Sequence, residues 1–269
     1  MDSTKVDFIK THRIQRLYIR YFDVVNHPQK GLVPNATVVF ESKIPQALEI
    51  VPTIFIVNGC MDENLRGLAD KILKRVLQMN ETHDILNVKE FQIDCDWTLR
   101  TRKKYFDFLG ELRQLAKQHG IGLSATIRLH QLSHPEPPVD KGVLMMYNTG
   151  DFTDINCHHP ILDMKDAAPY LKDLKSYELP LSSAYPLYRW KILFRNKNYK
   201  GIIHQEGELP VLPGDSIVIR QPGMQEIMAA KAAVSGCKAE ANREIILFDL
   251  TQFNITRFHP NDYEKIFNQ

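Results

Sequence analysis

The sequence predicts an α/β fold, in its simplest form a (β/α)8 TIM-barrel-like domain spanning residues 1–269, and three observations support this prediction. A chain of 269 residues with 43% hydrophobic residues can bury one large core, and this length is ordinary for a single barrel. Strand-like apolar runs alternate with amphipathic helical segments, which indicates βαβ units and a parallel sheet. Several predicted strands end in a polar residue, as in a barrel whose site gathers at the carboxyl ends of the strands: Asp23, Asn58, Asp96, Gln131, Asn148 and Asp249.

A doubly wound open sheet is the alternative to a barrel. No glycine-rich phosphate loop follows any predicted strand, and this disfavours a nucleotide-binding form of the open sheet.

The first half of the chain is organised around apolar strands. Residues 51–59 are apolar almost without a break, as in a strand that is buried on both faces of a parallel sheet. Residues 65–79 place their apolar side chains at helical spacing, with one stripe toward the sheet. The predicted elements are a strand at 14–24, a loop at 26–35, a short extra strand at 36–42, a strand at 51–59, a helix at 65–79, a strand at 91–96 and a helix at 101–119.

The second half continues the same alternation. Gly120 is expected to end the preceding helix, because glycine readily adopts the left-handed conformation found there. The predicted elements are strands at 121–131 and 142–148, a helix at 167–174, a strand at 183–190, a β-hairpin insertion near residues 195–223, a helix at 225–234, a strand at 244–250 and a helix at 262–267.

The strand at 91–96 carries the most informative side chains. Side chains alternate along a strand, so Asp94 and Asp96 are expected on one face, roughly 6 to 7 Å apart. Two carboxylates on a core strand are costly without partners or a function. Such a pair is what acid–base chemistry needs when one group stays ionised and its neighbour holds a proton.

Asp94-Cys95-Asp96-Trp97 resembles the end of the fourth strand in glycoside hydrolase family 18, the chitinases and their relatives, whose signature is D-x-x-D-x-D-x-E. Asp94 and Asp96 match its second and third acids, whereas Phe91 replaces the first and Thr98 replaces the glutamate that donates a proton in the family. This alignment implies that the first of eight barrel strands is missing or replaced.

A second motif strengthens the resemblance. Met145-Met146-Tyr147-Asn148 is similar to the Met-x-Tyr-Asp motif of the sixth strand, with Asn148 in place of its aspartate. By resemblance, Asp96 would orient the N-acetyl group of a substrate, Asp94 would support Asp96, and Tyr147 would donate a hydrogen bond to that group. Asp94, Asp96 and Tyr147 are therefore the candidate catalytic residues.

The missing glutamate leaves hydrolysis open. Positioned proton transfer is typically worth about 10²- to 10⁴-fold, and a threonine cannot supply it. The chain is either a non-catalytic carbohydrate-binding relative or a divergent hydrolase in which Asp96, Glu136 or Asp140 supplies the proton. In both cases the expected partner is an oligosaccharide or polysaccharide.

Further side chains are candidates for substrate binding. Arg128 would keep at least one of the two aspartates ionised, or would form a structural ion pair with it. Aromatic residues offer flat apolar surfaces for sugar rings, although Tyr185 is expected in the core. The predicted substrate-binding residues are Trp97, Arg128, His130, Gln131, Asn148, Tyr188 and Trp190.

A catalytic metal is an alternative. His130, His134, Cys157, His158 and His159, with Asp94 and Asp96, include ligand types for zinc or manganese, but no His-x-x-x-His pair falls on a predicted helix. We predict no metal and no cofactor. A metal-dependent hydrolase or lyase on the same barrel and a structural partner-binding barrel are the alternative functions.

Charge and hydropathy exclude several other classes. The formal net charge of +2, from 34 basic and 32 acidic residues, gives no field that favours nucleic acid. The four cysteines form no C-x-x-C pair. No segment approaches the roughly 18 apolar residues of a membrane span, and the N-terminus has no signal-peptide core. We expect the chain as given to be soluble, with its compartment open because an upstream segment could have been removed.

Overall fold

The structure is a computed structural model that describes residues 1–268, and in this part of the chain eleven strands form two sheets. The strands are β1 (Arg16–His27), β2 (Gly31–Asn35), β3 (Glu49–Ile56), β4 (Glu90–Asp94), β5 (Gly122–Arg128), β6 (Lys141–Met145), β7 (Leu181–Pro186), β8 (Trp190–Arg195), β9 (Asn198–Ile202), β10 (Ser216–Arg220) and β11 (Ile245–Phe248). The large sheet has the order β11-β7-β6-β5-β4-β3-β1-β2, and the small sheet has the order β10-β8-β9.

Helices follow most strands of the large sheet. They are α1 (Ser3–Thr11), α2 (Leu68–Thr82), α3 (Arg102–Gln118), α4 (Met164–Leu171), α5 (Met224–Lys238), α6 (Gln252–Ile255) and α7 (Pro260–Phe267). Short 3₁₀ turns lie at Asn58–Asp62, Leu129–Ser133, Leu174–Ser176 and Ala239–Asn242. Within residues 1–268, none of these helices combines the length and the apolar character needed to cross a membrane.

The strand pairings are those of a TIM-barrel-like α/β fold. β1 pairs in parallel with β3, β3 with β4, β4 with β5, and β7 with β11, and the neighbours follow the sequence from β3 to β7. The predicted fold class, with a small antiparallel sheet inserted after β7, is confirmed. β1 uses its second edge to pair with the antiparallel β2 over Asp23–His27, so in the described chain β2 takes the edge that a preceding parallel strand would use.

The chain divides into two compact units. The first unit consists of Met1–Ile127, Pro135–Val143 and Glu178–Pro180, and in it α2 packs with α3. β4 has an apolar face with the buried Phe91 and Ile93 and a polar face with Glu90, Gln92 and Asp94. The second unit consists of Arg128–His134, Leu144–Tyr177 and the chain from Leu181 onward, and its α5 packs with α4 and α7. All residues of β7, in the same unit, are buried.

The first unit corrects three of the predictions. The predicted loop at 26–35 is a β-hairpin, because Gly31 adopts a φ of +68° at its turn and Pro34 lies on β2, an edge strand where a missing N–H is tolerated. The predicted strand at 36–42 does not form, since Val38 donates to the carbonyl of Tyr21 without a ladder around it. Helix α1 was not predicted, because its one buried side chain, Ile9, gives no apolar stripe.

The second unit corrects the boundaries of the insertion. The predicted strand at 183–190 is two elements, because β7 ends at Pro186 and Trp190 begins β8 of the small antiparallel sheet. The insertion therefore begins at Trp190, before the predicted start near residue 195.

Gly120, in the first unit, has a φ of +69° after α3, as expected of a glycine that ends a helix.

Candidate functional site

Asp94 is the last residue of β4, so the strand ends two residues earlier than predicted. Asp94 is half-buried, the following Cys95 is buried and Asp96 is exposed beyond the strand. Thr126 on the neighbouring β5 donates its hydroxyl proton to Asp94 Oδ1 at 2.7 Å. A hydrogen bond to an ionised carboxylate is stronger than one between neutral groups, so Thr126 fixes the orientation of Asp94.

Trp97 anchors the segment that carries Asp96. Its side chain is only 2% exposed and stacks on Tyr105 of α3, with 6.3 Å between the ring centroids. The ring of Phe106 packs edge-on against the indole of Trp97, with 5.4 Å between the ring centroids. The ring therefore supports the site from the core side, and its predicted contact with a sugar stays a prediction.

Thr98 occupies the position at which the family 18 signature has its glutamate. Its main-chain N–H donates to Thr101 Oγ1 at 2.9 Å, and that hydroxyl donates to Asn58 Oδ1 at 2.7 Å. Thr98 is exposed, whereas Thr101 is buried immediately before α3. These bonds tie the residues after β4 to the turn after β3, and they place a hydroxyl group where an acid would be needed.

The other candidate acids of the first unit are held in structural contacts. Asp140 accepts from Arg113 Nε at 2.8 Å and from the main-chain N–H of Leu123 at 2.9 Å. Glu136 accepts a hydrogen bond from the main-chain N–H of Glu178.

In the second unit, Tyr147 and Asn148 follow β6. Asn148 adopts the left-handed conformation, with a φ of +57°, and its Oδ1 accepts a hydrogen bond from the hydroxyl group of Tyr188. Burial raises the pKa of Tyr188 well above its ordinary value, and Tyr147 and Asp249 add to the effect. Tyr188 therefore keeps its proton and remains a donor at neutral pH.

Four rings form what we call the aromatic cluster: Tyr147, Tyr188, Trp190 and Phe248. Tyr147 and Phe248 lie nearly parallel, with centroids 5.8 Å apart and 12° between their planes. Tyr188 contacts both rings edge-on, and Trp190 lies 5.6 Å from Tyr188. Phe248 is 48% exposed, so the cluster has an accessible apolar face.

Phe248 is the one member of the aromatic cluster that is not among the predicted site residues. The residue sits directly before Asp249, at the polar end of the last strand of the large sheet. That position was the available signal, but the ring partners of Phe248 come from residues 60 and more positions away and cannot be derived from local sequence.

The remaining predicted binding residues of the second unit lie on or next to a 3₁₀ turn. Arg128 Nη1 lies 2.8 Å from the sulfur atom of Met145, and the main-chain N–H of Arg128 donates to Gln131 Oε1 at 2.9 Å. Gln131 is 1% exposed and His130 is exposed. The amide of Gln131 thus holds the turn, and the contacts of these three residues with a ligand stay predictions.

The alternative metal ligands do not gather. Among residues 1–268, no group of three or more histidine, cysteine, aspartate or glutamate side chains is arranged to hold a metal ion. The Nδ1 atom of His159, one of the candidates, lies 3.7 Å from Oε1 of Glu226.

Comparisons with known proteins give a likeness of fold. No protein-family model matches this chain, and no curated protein matches it in sequence. Among solved structures, the spore cortex-lytic enzyme SleL of Bacillus megaterium is similar with a TM-score of 0.64 and 10% identity, over 99% of this chain and 70% of that one. A chitinase of Chromobacterium violaceum has a TM-score of 0.62 and 9% identity, over 99% and 95% of the two chains.

The Group IV chitinase of Ostrinia furnacalis is also similar, with a TM-score of 0.53 and 10% identity over 100% of this chain and 96% of that one. The predicted chitinase-like fold is confirmed. At such low identities the likeness concerns the fold, and the site residues have to be argued from their own geometry.

Proposed function

We propose that this chain binds a glycan, and that the exposed face of the aromatic cluster stacks against a sugar ring. The parallel arrangement of Tyr147 and the half-exposed Phe248 carries the proposal. Sugar rings present flat C–H faces, and stacked aromatic rings in a partly buried cluster offer a preorganised apolar surface for them. The chitinase-like fold, which the neighbours use on polysaccharides, supports the same class of ligand.

Polar groups beside the cluster would fix the orientation of the sugar. Asn148 is exposed, and its Oδ1 is already set by Tyr188, so its amide N–H groups can face a ligand. Separately, in the first unit, Asp96 is exposed and Thr126 donates a hydrogen bond to Asp94, and these acids remain our candidates for binding an N-acetyl group.

We favour binding without hydrolysis. The hydroxyl group of Thr98 is too weak an acid to protonate a leaving oxygen, and Asp140 and Glu136 are engaged by Arg113 and main-chain N–H groups. Asp96 is then the acid on which a hydrolytic alternative depends. The metal-dependent alternative has no ligand cluster in its favour among residues 1–268.

The test combines retention and cleavage. Labelled oligosaccharides, both neutral and charged and including chitooligosaccharides, are incubated separately with the protein, with and without a chelator, and both the bound fraction and the products are followed. Phe248→Ala is expected to weaken retention about tenfold, which corresponds to about 1.4 kcal/mol of stacking. Tyr170→Ala, which removes a 40% exposed ring on α4, is the matched control and should leave retention unchanged.

Each outcome decides a part of the proposal. Absence of retention for every neutral and charged oligosaccharide would overturn glycan binding. Cleavage that survives the chelator and disappears in Asp96→Asn would replace binding alone with hydrolysis.

A further inference from the structure

Arg20 and Asp23 on β1 form a two-point ion pair that a regular strand could not make. Arg20 Nε donates to Asp23 Oδ1 at 2.5 Å, and Arg20 Nη2 donates to Asp23 Oδ2 at 2.7 Å. Side chains three positions apart on a regular strand point to opposite faces of the sheet. The register of β1 on β3 shifts between Arg20 and Phe22, so β1 contains one extra residue there. This β-bulge places both charged side chains on the same face of the sheet.

Tyr21 is the extra residue, and its contacts show which face carries the ion pair. Its buried hydroxyl group donates to Asn80 Oδ1 of α2 at 2.8 Å, on the helix side of the sheet. Asp23 pairs in register with Phe55 of β3, and Phe55 pairs in register with Asp94 of β4. Residues in register on parallel strands carry their side chains on the same face, so the ion pair shares the polar face with Asp94. The Cα atoms of Asp23 and Asp94 are two strand spacings apart, about 10 Å.

The ring of Phe55 fixes the guanidinium group of Arg20. The Cζ atom of Arg20 lies 4.7 Å from the centroid of this ring. A ring against the guanidinium group and a carboxylate on two of its N–H groups together restrict its orientation. The N–H groups of Nη1 take no part in the two bonds to Asp23, and the side chain of Arg20 is 56% exposed. The ion pair is therefore ordered, and one edge of it is accessible to a ligand.

The row of residues beside Arg20 adds hydrogen-bonding groups to the same face. Thr53, Gln92 and Ser124 continue this row in register on β3, β4 and β5. Gln92 is 4% exposed and Ser124 is fully buried, and within residues 1–268 neither Gln92 Nε2 nor Ser124 Oγ has a hydrogen-bond partner. Buried polar atoms without partners cost free energy. The polar face therefore has more hydrogen-bonding capacity than the described chain satisfies.

We propose that the Arg20–Asp23 pair binds two neighbouring hydroxyl groups of a sugar, with Arg20 donating to one and Asp23 accepting from the other. This inference rests on the proposed function and adds to it a hydroxyl-binding subsite in the first unit. A hydrogen bond to a charged group is stronger than one between neutral groups, and a carboxylate has lone pairs beyond those used by Arg20. Because the two charges balance each other, the pair suits a neutral hydroxylated ligand better than an anion.

The subsite favours one end of a chitooligosaccharide. In the methyl β-glycoside of such a chain, only the non-reducing terminal ring has free hydroxyl groups on two adjacent carbons, at its 3- and 4-positions. Every other ring uses its 4-oxygen in a glycosidic bond and carries an acetamido group at its 2-position. We therefore expect the Arg20–Asp23 pair to recognise the non-reducing end of the chain.

The experiment compares two ligands on the full chain by isothermal titration calorimetry. One is the methyl β-glycoside of chitotetraose, and the other is the same glycoside without the 4-hydroxyl group of its non-reducing terminal ring. We expect the native chain to bind the 4-deoxy ligand about tenfold more weakly, because it lacks a hydrogen bond to a charged group. Arg20→Gln and Asp23→Asn should each weaken the parent glycoside about as much and should bind the two ligands nearly equally. Arg20→Lys, which keeps the charge but loses the planar donors, should lie between Arg20→Gln and the native chain.

Arg113→Gln is the matched control. Arg113 also pairs with an aspartate in the first unit, since its Nε donates to Asp140 Oδ1 at 2.8 Å. Asp140 accepts from the main-chain N–H of Leu123, near the beginning of β5, whereas Asp94 is the last residue of β4. This variant should keep the native ratio of the two affinities. The thermal unfolding curve of each variant verifies that it is folded.

The outcomes separate this inference from the proposed function. Equal affinity of the native chain for the two glycosides would overturn the subsite and leave glycan binding intact. A loss of affinity in Arg20→Gln by the same factor for both ligands would also overturn it, because a purely structural ion pair cannot distinguish them. Dependence on the 4-hydroxyl group and on Arg20, without any effect of Phe248→Ala, would support the subsite and remove the aromatic cluster as the sugar-binding surface. Failure of both glycosides to bind would overturn the subsite, and the proposed function would then depend on the other oligosaccharides of the retention assay.

Discussion

The hydroxyl group of Thr126 orients the carboxylate of Asp94 by a hydrogen bond. A nearly isosteric substitution can measure the contribution of this hydrogen bond. Thr126→Val removes the donor at 2.7 Å from Asp94 Oδ1 and changes little else, because Thr126 is 5% exposed and valine fits the same volume. A hydrogen bond to an ionised group is worth about 1.5 to 3 kcal/mol, so we expect a loss of that size in the free energy of unfolding and weaker retention of N-acetylated sugars. Urea denaturation and the retention assay measure both effects. Thr126→Ser keeps the hydroxyl and should recover most of the loss; equal losses in the two variants would assign the effect to packing.

Thr98 permits the converse experiment, in which a function is added. If the family resemblance describes the chemistry, Thr98→Glu places an acid at the position of the missing proton donor, and we expect slow but measurable release of product from labelled chitooligosaccharides. The exposed side chain leaves room for a glutamate, and Thr98→Gln, of the same size without the proton, is the control. Equal product release from both variants and from the native chain would show that this position is not the place of proton transfer.

Single residues also mark the limit of sequence reasoning. Asp94, Tyr147 and Asn148 are candidates from the sequence because they belong to motifs that are contiguous in the chain. Thr126, Asn58 and Phe248 act through partners on other strands, and their hydrogen bonds and ring contacts depend on register, which no short stretch of sequence contains.

Among the elements, the strands of the large sheet were the most predictable, because uninterrupted apolar runs such as β3 are typical of strands buried on both faces. Boundaries failed where backbone details decided them. The turn at Gly31 allows a hairpin where a loop is predicted. One predicted strand is two strands, because β7 ends at Pro186 and Trp190 begins β8 of the small sheet. The helical spacing of α2 and α3 was clear, whereas α1 has one buried side chain and no stripe.

The small sheet of β8, β9 and β10 should be sensitive to acid through one ion pair. Arg195 and a main-chain N–H of Leu212 lower the pKa of Asp215 to about 2, and the carboxylate joins the loop before β10 to β8. Because the folded-state pKa is depressed, its stabilising effect is complete above the ordinary pKa of about 4 and is lost as the pH falls through about 2. NMR signals of β10 residues, followed from pH 5 to pH 2, should therefore report local opening in that window.

Two variants test this assignment. Asp215→Asn should weaken the small sheet at pH 5 and remove most of the acid-dependent change, because no titrating group remains at the pair. Glu206→Gln, at an exposed acid of the same insertion, should behave like the native chain. Acid-dependent opening of equal size in Asp215→Asn would assign it to another carboxylate.

At the scale of the whole molecule, the fold resembles that of chitinases at only about 10% identity, since core positions accept many apolar residues when volume and periodicity are kept. The polar face of the sheet in the first unit is more demanding. There Glu90 Oε2 lies 2.8 Å from Lys141 Nζ and 3.7 Å from Arg16 Nη1. Lys141 Nζ also donates a hydrogen bond to the hydroxyl group of Tyr18 at 3.0 Å. Burial by itself would lower the pKa of Lys141. The interactions with Tyr18 and Glu90 outweigh this effect of burial, so the pKa of the lysine is raised above its ordinary value.

This network predicts a large and non-additive effect on stability. Glu90→Gln removes the carboxylate that faces Lys141, and since the two side chains are only 13% and 19% exposed, we expect a loss of about 3 kcal/mol in the free energy of unfolding. Adding Lys141→Met removes the charge that had lost its partner and should restore about 2 kcal/mol of that loss. The surface pair of Lys103 and Asp107, 87% and 66% exposed on α3, is the control, and its neutralisation should cost less than about 0.5 kcal/mol. Additive losses at Glu90 and Lys141 in urea denaturation would show that the two charges are independently solvated, and that the polar face of the sheet does not depend on their pairing.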